Sequence, residues 1–375
     1  MKKRFNYFLF FLVAFLAGFG FLFLSCLSSL ESLSKFGNTN YYLIHQFTNG
    51  ILPGIILAFI VYKIPLHHIK KWAPVLVILN LAFLVLVFLP FLGLKLGGAH
   101  RWLNLGKFAL QPSEFLKITS ILYLAAWISS KLSEDKVSGW KSVTKKGYHN
   151  LIYVFVPFVV FLAGISIILI LQPDLSTLGI IGLTLAVMYF SAKTPLWHTL
   201  SIIGAAAGGL LLLIKYESYR LDRWLIFLHP ESDPLGKGFQ LRQSLISLGS
   251  GGIFGKGLGM STQKFGHLPE CMTDSFFAII GEELGIIGCA AVIISFILFF
   301  WLGIKIAKNS TDRFAKLTAV GITFWITLQA LINIGSAAGV FPLAGIPLPF
   351  FSYGGSHIAT ELIGIGLLLN ISKNG

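Results

Sequence analysis

Long apolar stretches dominate this chain, and short polar segments separate them. A membrane-spanning helix needs about 20 consecutive, mainly apolar residues. Such stretches occur ten times, at about residues 5–27, 43–62, 74–92, 115–130, 150–171, 175–192, 196–214, 275–302, 317–340 and 353–371. The pattern predicts an all-α polytopic membrane protein with about ten transmembrane helices, in a single domain over residues 1–375. The first stretch is longer than the apolar core of a signal peptide, so we expect a retained helix.

The composition supports this prediction and argues against a soluble domain and a nucleic-acid-binding protein. Of the 375 residues, 55% are hydrophobic and 12% are charged, whereas about 25% of residues are charged in soluble domains. The net charge of +14 raises the question of nucleic-acid binding, but the basic residues lie between the apolar stretches and form no nucleic-acid motif. We therefore expect no nucleic-acid partner.

The basic residues instead indicate an orientation. If both termini are cytoplasmic, the inner segments carry 17 Lys and Arg residues and the short outer segments carry 4. Cytoplasmic loops are enriched in Lys and Arg, so this distribution predicts cytoplasmic termini. Two outer segments then stand out, at about 93–114 and at about 215–274, and the second is a long extracytoplasmic loop between helices 7 and 8.

The first outer segment carries Arg101, Trp102 and Lys107. The planar guanidinium of an Arg and the ammonium of a Lys can bind phosphate oxygens. A Trp in a segment next to a membrane span can equally be an anchor at the membrane interface. Glu114 and Lys117 follow at the start of a predicted helix and share one face. They are as consistent with a paired helix entry as with catalysis. Asp174 favours a helix cap, with a polar cavity as the alternative.

The long loop has the strongest pattern of polar residues. Six glycines fall between residues 249 and 259, where they can present N–H groups to phosphates or allow close packing. No Gly-Lys-Ser/Thr ending follows, so we expect no nucleotide cofactor. Lys264, Glu270 and Asp274 come next, and Asp274 is equally placed to cap the following helix. Glu282 and Glu283 lie inside that apolar helix and need either a cationic partner or a polar cavity.

The last outer segment, residues 339–361, contains Pro342, Pro347 and Pro349 before Ser352 and Gly354. Irregular backbone at membrane depth is tolerated where it lines a cavity. Together these segments bring cations, carboxylates and broken helices to one face of the membrane. This suits an amphiphilic substrate with an anionic head group and an apolar tail.

Four motifs, in order, resemble the SEDS family of bacterial peptidoglycan glycosyltransferases (shape, elongation, division and sporulation proteins). They are GGAHRWLNLGKFALQPSEFLK, QPDLST, the stretch from GSGGIFGKGLG through QKFGHLPECMTD to GEELGIIG, and GIPLPFFSYGGS. The resemblance implies ten transmembrane helices and an inverting transfer between two lipid-linked glycans, lipid II and a polyprenyl-pyrophosphate-linked strand. It implies a class B penicillin-binding protein (a transpeptidase) and other divisome proteins as partners, at the bacterial cytoplasmic membrane.

The resemblance places the family's essential aspartate at Asp274, as a general base or as a ligand of Mg2+ or Mn2+. We expect the substrate to contact Arg101, Trp102, Lys107, Lys117, Lys264, Glu270, Ser352 and Gly354. The chain departs from the family pattern at Cys271, Met272 and Ser275, where the family has Ala, His and Phe, and at Ser176, where it has Gly. The first departure puts a role for that histidine in doubt.

Two subfamilies fit these motifs, and the Ser261–Lys264 run followed by Leu268–Glu270 favours the division (FtsW-like) form, at the septum, over the elongation (RodA-like) form. Two other functions remain open. A lipid II flippase fits ten spans with buried acids such as Glu283 and Glu361. A scaffold that recruits division proteins needs no catalytic carboxylate.

Overall fold

A computed structural model describes residues 5–96, 99–104, 106, 109–131, 151–192, 198, 201–202, 204, 208–209, 226–229 and 237–374. The helices of these ranges are α1 (Tyr7–Phe36), α2 (Tyr41–Gln46), α3 (Leu52–Lys63), α4 (Leu66–Leu86), α5 (Pro112–Lys131), α6 (Val156–Leu171), α7 (Leu175–Ser191), α8 (Lys237–Ser250), α9 (Phe276–Asn309), α10 (Arg313–Ala337) and α11 (Gly355–Asn374). Short π-helical turns, Phe47–Ile51 and Leu151–Phe155, precede α3 and α6.

These helices confirm a helical polytopic membrane protein. Nine of the ten predicted apolar stretches coincide with described helices, and the seventh, 196–214, lies largely outside the described residues. Within the described ranges, six helical segments are long and apolar enough to cross a membrane: Tyr7–Phe36, Tyr41–Lys63, Leu66–Leu86, Leu151–Leu171, Phe276–Asn309 and Arg313–Ala337. Large apolar side chains on their outer faces, such as Phe11, Ile78 and Val160, are more than 60% exposed, as expected for surfaces in contact with lipid.

Close helix packing depends on glycine at a few positions. One example joins α3 to α11, where a Cβ atom on Gly366 would lie 2.4 Å from the carbonyl oxygen of Ala58. Small residues let helix backbones approach each other in a membrane, where apolar side chains gain little by leaving lipid. The same helices are joined by Asn370, whose Nδ2 donates to the carbonyl oxygens of Val61 and Ile64, both at 2.7 Å.

Helix α9 is broken near its start. Gly285 has φ 66° and ψ −161°, outside the helical region, and the chain bends there. The N–H groups of Ile286 and Ile287 donate to the carbonyl oxygens of Gly252 and Ile253 in the preceding loop. The loop thus satisfies backbone groups that the break leaves unpaired, which is a general requirement inside a membrane.

The two outer segments contain regular structure that the hydropathy pattern did not predict. Three antiparallel strands, β1 (Gly93–Leu96), β2 (Ala99–Asn104) and β3 (Ala109–Leu110), form a small sheet in the order β1-β2-β3. Trp102 pairs with Leu94 in its register. Helix α8 lies within the predicted loop 215–274 and packs on α9 and α10 through the hydroxyls of Ser247 and Ser244. The loop is therefore partly helical.

Several helices begin at one end of the bundle, which we call the upper end. Gln111 N donates to Ser356 Oγ at 3.0 Å and joins the starts of α5 and α11. Ser113 Oγ donates to Asp174 Oδ2 at 3.1 Å and joins α5 to the start of α7. The lower end holds the turn between α3 and α4 and the last residue of α5, Lys131.

Candidate active site at the upper end

Asp274 lies in a turn that immediately precedes α9. The N–H groups of Thr273 and Ser275 both donate to the carbonyl oxygen of Glu270 at 3.1 Å, which closes the turn. Ser275, not Asp274, is the N-cap residue of α9, and its hydroxyl donates instead to Pro269 O. The alternative interpretation of Asp274 as a helix cap is therefore wrong. Its half-buried carboxylate is directed towards Gly345, where an added Cβ atom would lie 3.6 Å from Oδ2.

The segment from Gly339 to Gly354 crosses the upper end and holds this turn from the other side. Ser352 Oγ donates to Thr273 O at 2.6 Å and accepts from Leu348 N at 2.8 Å. Tyr353 N donates to Met272 O at 2.8 Å. The start of α9 is thereby fixed to the segment that precedes α11. Ser352 is 1% exposed, so the structure places it as a support for the turn of Asp274.

Gly354 also supports the site, through a hydrogen bond of its backbone N–H group. Its N–H donates to Gln46 Oε1 at 2.9 Å, and Gln46 Nε2 lies 3.4 Å from Ser352 O. Gln46 sits beside the π-helical turn that separates α2 from α3, so a break in that span also supports the site.

Asn333 on α10 is a residue of this site that the sequence analysis missed. Its Nδ2 donates to Asp274 O at 2.9 Å and to Ile346 O at 2.8 Å, and the residue is 1% exposed. One side chain thus positions both Asp274 and the segment that faces it. A buried amide inside an apolar span is costly unless it is partnered, and this signal is readable from the sequence.

The two adjacent glutamates of α9 organise the glycine-rich loop. Glu282 is fully buried and lies 2.7 Å from Lys256 Nζ, and it accepts from Thr262 N at 3.1 Å. Glu283 is equally buried and accepts from Gly259 N at 2.8 Å and Ser261 N at 3.3 Å. Of the two alternatives for these acids, cationic partners or a polar cavity, the structure shows cationic partners. The loop N–H groups bind carboxylates of the same chain, which supports the close-packing interpretation of the glycines.

Lys264 belongs to this arrangement. Its side chain is 7% exposed, and Nζ lies 3.8 Å from Glu283 and donates to Gly259 O. The described polar contacts of Lys264 are therefore with the loop and with α9. Glu270 is exposed at the edge of the Asp274 turn, and its carboxylate accepts from Thr273 Oγ1 at 2.7 Å.

A second group of ionisable residues is buried between α5, α10 and α11. Lys117 Nζ lies 2.9 Å from the Glu114 carboxylate and donates to Gln329 Oε1 at 2.9 Å. His357 Nδ1 lies 3.2 Å from Glu114, and its Nε2 lies 3.1 Å from Glu361. Lys117 is 2% exposed. Glu114 and Lys117 do pair, as one of the two alternatives for them predicts, and the pair extends to a network that includes Glu361.

Arg101 is anchored to the turn between α6 and α7. Its Nε donates to Gln172 O at 3.1 Å, and a terminal nitrogen donates to Pro173 O. Asp174 in that turn is the N-cap of α7 and accepts from Thr177 N, which confirms its predicted cap. Arg101 and Trp102 are both partly exposed on β2, and Lys107 lies outside the described residues.

The start of α7 is linked to the surroundings of Asp274 by one further contact. Ser176 Oγ donates to Ala344 O, and the neighbouring Gly345 lies against the Asp274 carboxylate. Ser176 occupies the position at which the family pattern has Gly. Its hydroxyl therefore adds a contact between α7 and the segment above Asp274.

The described residues contain no group of three or more His, Cys, Asp or Glu side chains that could hold a metal ion among themselves. Mg2+ is commonly bound by one or two carboxylates together with substrate phosphates. Asp274, half-buried and next to Gly345, fits a site in which one carboxylate and the phosphates of a substrate hold the ion.

Comparison with known proteins identifies the family. A family model described as "Cell cycle protein", which covers FtsW, RodA and SpoVE, matches residues 7–375. The chain belongs to the SEDS family. Stage V sporulation protein E of Bacillus subtilis is 38% identical over 85% of this chain and 84% of its own length. A probable peptidoglycan glycosyltransferase FtsW of Trichlorobacter lovleyi is 36% identical over 96% of this chain and 91% of its own length.

Solved structures agree with the fold of this SEDS protein. A chain from a peptidoglycan synthase complex that coordinates polymerization and crosslinking has a TM-score of 0.77 at 26% identity, over 98% of both chains. The rod shape determining protein RodA of Thermus thermophilus has a TM-score of 0.69 at 23% identity, over 98% of this chain and 97% of its own. The predicted family membership is thus confirmed, and several sequence relatives are named FtsW.

Proposed function

We propose that this SEDS protein is a peptidoglycan glycosyltransferase that polymerises lipid II into glycan strands. In the proposed reaction, the GlcNAc 4-hydroxyl oxygen of one lipid II attacks the MurNAc C1 of a polyprenyl-pyrophosphate-linked glycan. The new C1–O bond forms as the bond from C1 to the pyrophosphate oxygen breaks, with inversion at C1. The hydroxyl proton passes to the Asp274 carboxylate, and the polyprenyl pyrophosphate leaves with the bonding electrons.

The observation that carries this proposal is the position of Asp274. Its backbone is held by Asn333, and the turn around it is held by Ser352, so the backbone that carries the carboxylate has a fixed position. Positioned carboxylates that are partly accessible suit general base catalysis. The cation distribution that favours cytoplasmic termini would place this upper end on the outer face, where lipid-linked glycans are polymerised.

The alternative role of this carboxylate is to hold a divalent cation. Asp274 would supply a ligand to Mg2+ or Mn2+, and the ion would neutralise charge on the pyrophosphate. Arg101 is partly exposed near the same end and would add a further positive charge. We propose that Trp102, Glu270 and Lys107 contact the substrate, whereas Lys117, Lys264, Ser352 and Gly354 act from within the fold.

The test replaces Asp274→Asn in the full chain. Polymerisation of fluorescent lipid II by the purified protein, with and without a class B penicillin-binding protein, should fall by at least about 100-fold, the lower range of general base catalysis. Glu31→Gln is the matched control. Glu31 is a carboxylate near the end of α1 whose described partner is exposed Lys35, and its loss should leave the rate within about twofold.

Folded protein is checked by size-exclusion chromatography and by melting temperature in detergent. Normal polymerisation by folded Asp274→Asn would refute the catalytic role. Equal loss in Glu31→Gln would show that the substitution acts through the fold of this end and not through the chemistry.

We further propose a role in division, with a transpeptidase and other divisome proteins as partners. The relatives named FtsW and the peptidoglycan synthase complex support this assignment. A fluorescent fusion of the full chain should concentrate at the septum. Uniform labelling of the side wall would favour the elongation role instead.

The buried network of Glu114, Lys117, His357 and Glu361 is the observation that favours a second function, transport of lipid II across the membrane. An assay in liposomes distinguishes the two functions. Flipping of labelled lipid II that persists in Asp274→Asn, without polymerisation by the native chain, would support the transporter and contradict the polymerase.

A further inference from the structure

A basic cavity lies between α4 and α5 at the lower end of the bundle. It has a volume of about 350 Å3, and its lining includes His67, Lys70, Lys71, Tyr123, Trp127 and Ser130. This volume is at the lower end of the range for small-molecule sites, about 300–1,000 Å3. Along α5, Trp127 is 14 residues from Ser113 at the upper end, a distance of about 21 Å at 1.5 Å per residue. The cavity is therefore separate from the site around Asp274.

The charge in this cavity is not balanced by the described protein. None of the described carboxylates forms an ion pair with Lys70 or Lys71. Both lysines lie in the first two turns of α4, together with His67. Two cations that share a concave site attract an anion more strongly than scattered surface lysines, because the low-dielectric walls screen their field less.

The depth of the cavity matches the membrane interface. Its cations are at the start of α4, and its aromatic residues are in the last three turns of α5, which ends at Lys131. Trp and Tyr are enriched at this level, beside the lipid head groups. Trp127 Nε1 donates to Tyr153 O at 3.2 Å, so the indole is fixed as one wall of the cavity.

Apolar surface continues from the cavity along α4 towards the bilayer centre. Leu76, Ile78 and Leu79 are exposed by 38–64%, on the turns that follow the basic residues. A ligand with an anionic head in the cavity would thus have its hydrocarbon chains against an apolar helix surface. Basic pockets between transmembrane helices at this depth are typical sites for phospholipid head groups.

We propose that this cavity binds the head group of an anionic phospholipid. Lys70 and Lys71 would contact the phosphate, and Ser130 and Trp127 would lie beside the polar group that the phosphate carries. The site is independent of the proposed polymerase reaction. Its cations also belong to the set that indicates the orientation of the chain, so the test has to separate a specific site from a general effect of positive charge.

The test compares two double variants of the full chain in detergent micelles. In Lys70→Gln/Lys71→Gln the cavity loses both lysines. In the control, Lys63→Gln/Lys305→Gln, the protein loses two lysines outside the cavity, each stacked over an aromatic ring of its own helix. Phosphatidylglycerol is titrated into delipidated protein, and the bound lipid is counted by native mass spectrometry.

We expect one saturable phosphatidylglycerol site in the native chain and in the control variant. The cavity variant should bind about 30-fold more weakly, the factor expected for two lysines near an anionic group. Phosphatidylcholine and inorganic phosphate, titrated in the same way, should not displace the lipid. Melting temperature in detergent without lipid should be the same for both double variants.

Three results would overturn the proposal. Equal weakening in the two double variants would show a general effect of charge. Equal binding of phosphatidylcholine would show that the head-group charge is not recognised. Displacement of the lipid by inorganic phosphate at matched concentration would identify a site for the free anion.

Discussion

Asn333 allows the position of Asp274 to be tested apart from its chemistry. The Asn333 amide donates to Asp274 O at 2.9 Å and to Ile346 O at 2.8 Å. Asn333→Ala removes both hydrogen bonds and leaves two carbonyl oxygens to find other partners. We expect the turn that carries Asp274 to lose its fixed position relative to the segment around Gly345.

The chain offers a closely matched control in Asn370. Its amide also donates to two backbone carbonyl oxygens, each at 2.7 Å, but at the lower end of the bundle. A typical hydrogen bond contributes about 1 kcal/mol net, so each Ala variant should lose about 2 kcal/mol. Unpaired carbonyls can raise this loss to about 4 kcal/mol. The two variants should therefore have similar melting temperatures.

Activity should distinguish the two variants. A misplacement of about 1 Å can lower a rate by about 100-fold, so we expect the kcat of Asn333→Ala to fall between tenfold and 100-fold. Asn370→Ala should remain within about threefold of the native rate. The assay is polymerisation of fluorescent lipid II at a temperature where both variants are folded, with kcat and KM measured separately.

Two outcomes would refute this reasoning. Native kcat in Asn333→Ala would show that the amide does not position Asp274 for reaction. Equal loss in both variants would show that general destabilisation explains the effect.

Two further predictions concern residues near this site. Gly285→Ala should prevent accumulation of folded protein, because φ at this position is 66° and a Cβ atom would lie 2.5 Å from Gly255 N, whereas Gly164→Ala should be tolerated because nothing lies within 4 Å of its added Cβ. Yields after size-exclusion chromatography test this pair, and equal yields would contradict it. Burial raises the pKa of the Cys271 thiol to about 11. In a chain whose other cysteines are replaced by Ala, its alkylation by iodoacetamide should be slow at pH 8 and rise about tenfold per pH unit towards pH 11, since the thiolate reacts. A plateau below pH 9 would contradict this shift.

Hydropathy located most of the helices because a membrane imposes a simple condition on sequence. Each span must be apolar for about 20 residues, so nine of the ten predicted stretches coincide with described helices. Hydropathy did not reveal the strands between Gly93 and Leu110 or helix α8, since these lie in polar segments outside the spans, where the membrane does not require apolar residues.

The sequence by itself determined the family, the apolar spans and the choice of Asp274 as the residue to test. Its motifs also raised the possibility of cationic partners for Glu282 and Glu283, but two lysines were available nearby and only the fold assigned Lys256 to the first and Lys264 to the second. These pairs depend on the break at Gly285, where loop and helix backbones meet.

Tertiary structure alone decided which residues support Asp274. Asn333 is 59 positions away along the chain, and Ser352 is 79 positions from its acceptor, Thr273. Hydropathy depends on neighbours in sequence, whereas these hydrogen bonds depend on how α9, α10 and the segment before α11 pack at the upper end. Because buried polar groups in a membrane must find partners within the protein, the packing of the helices selects those partners.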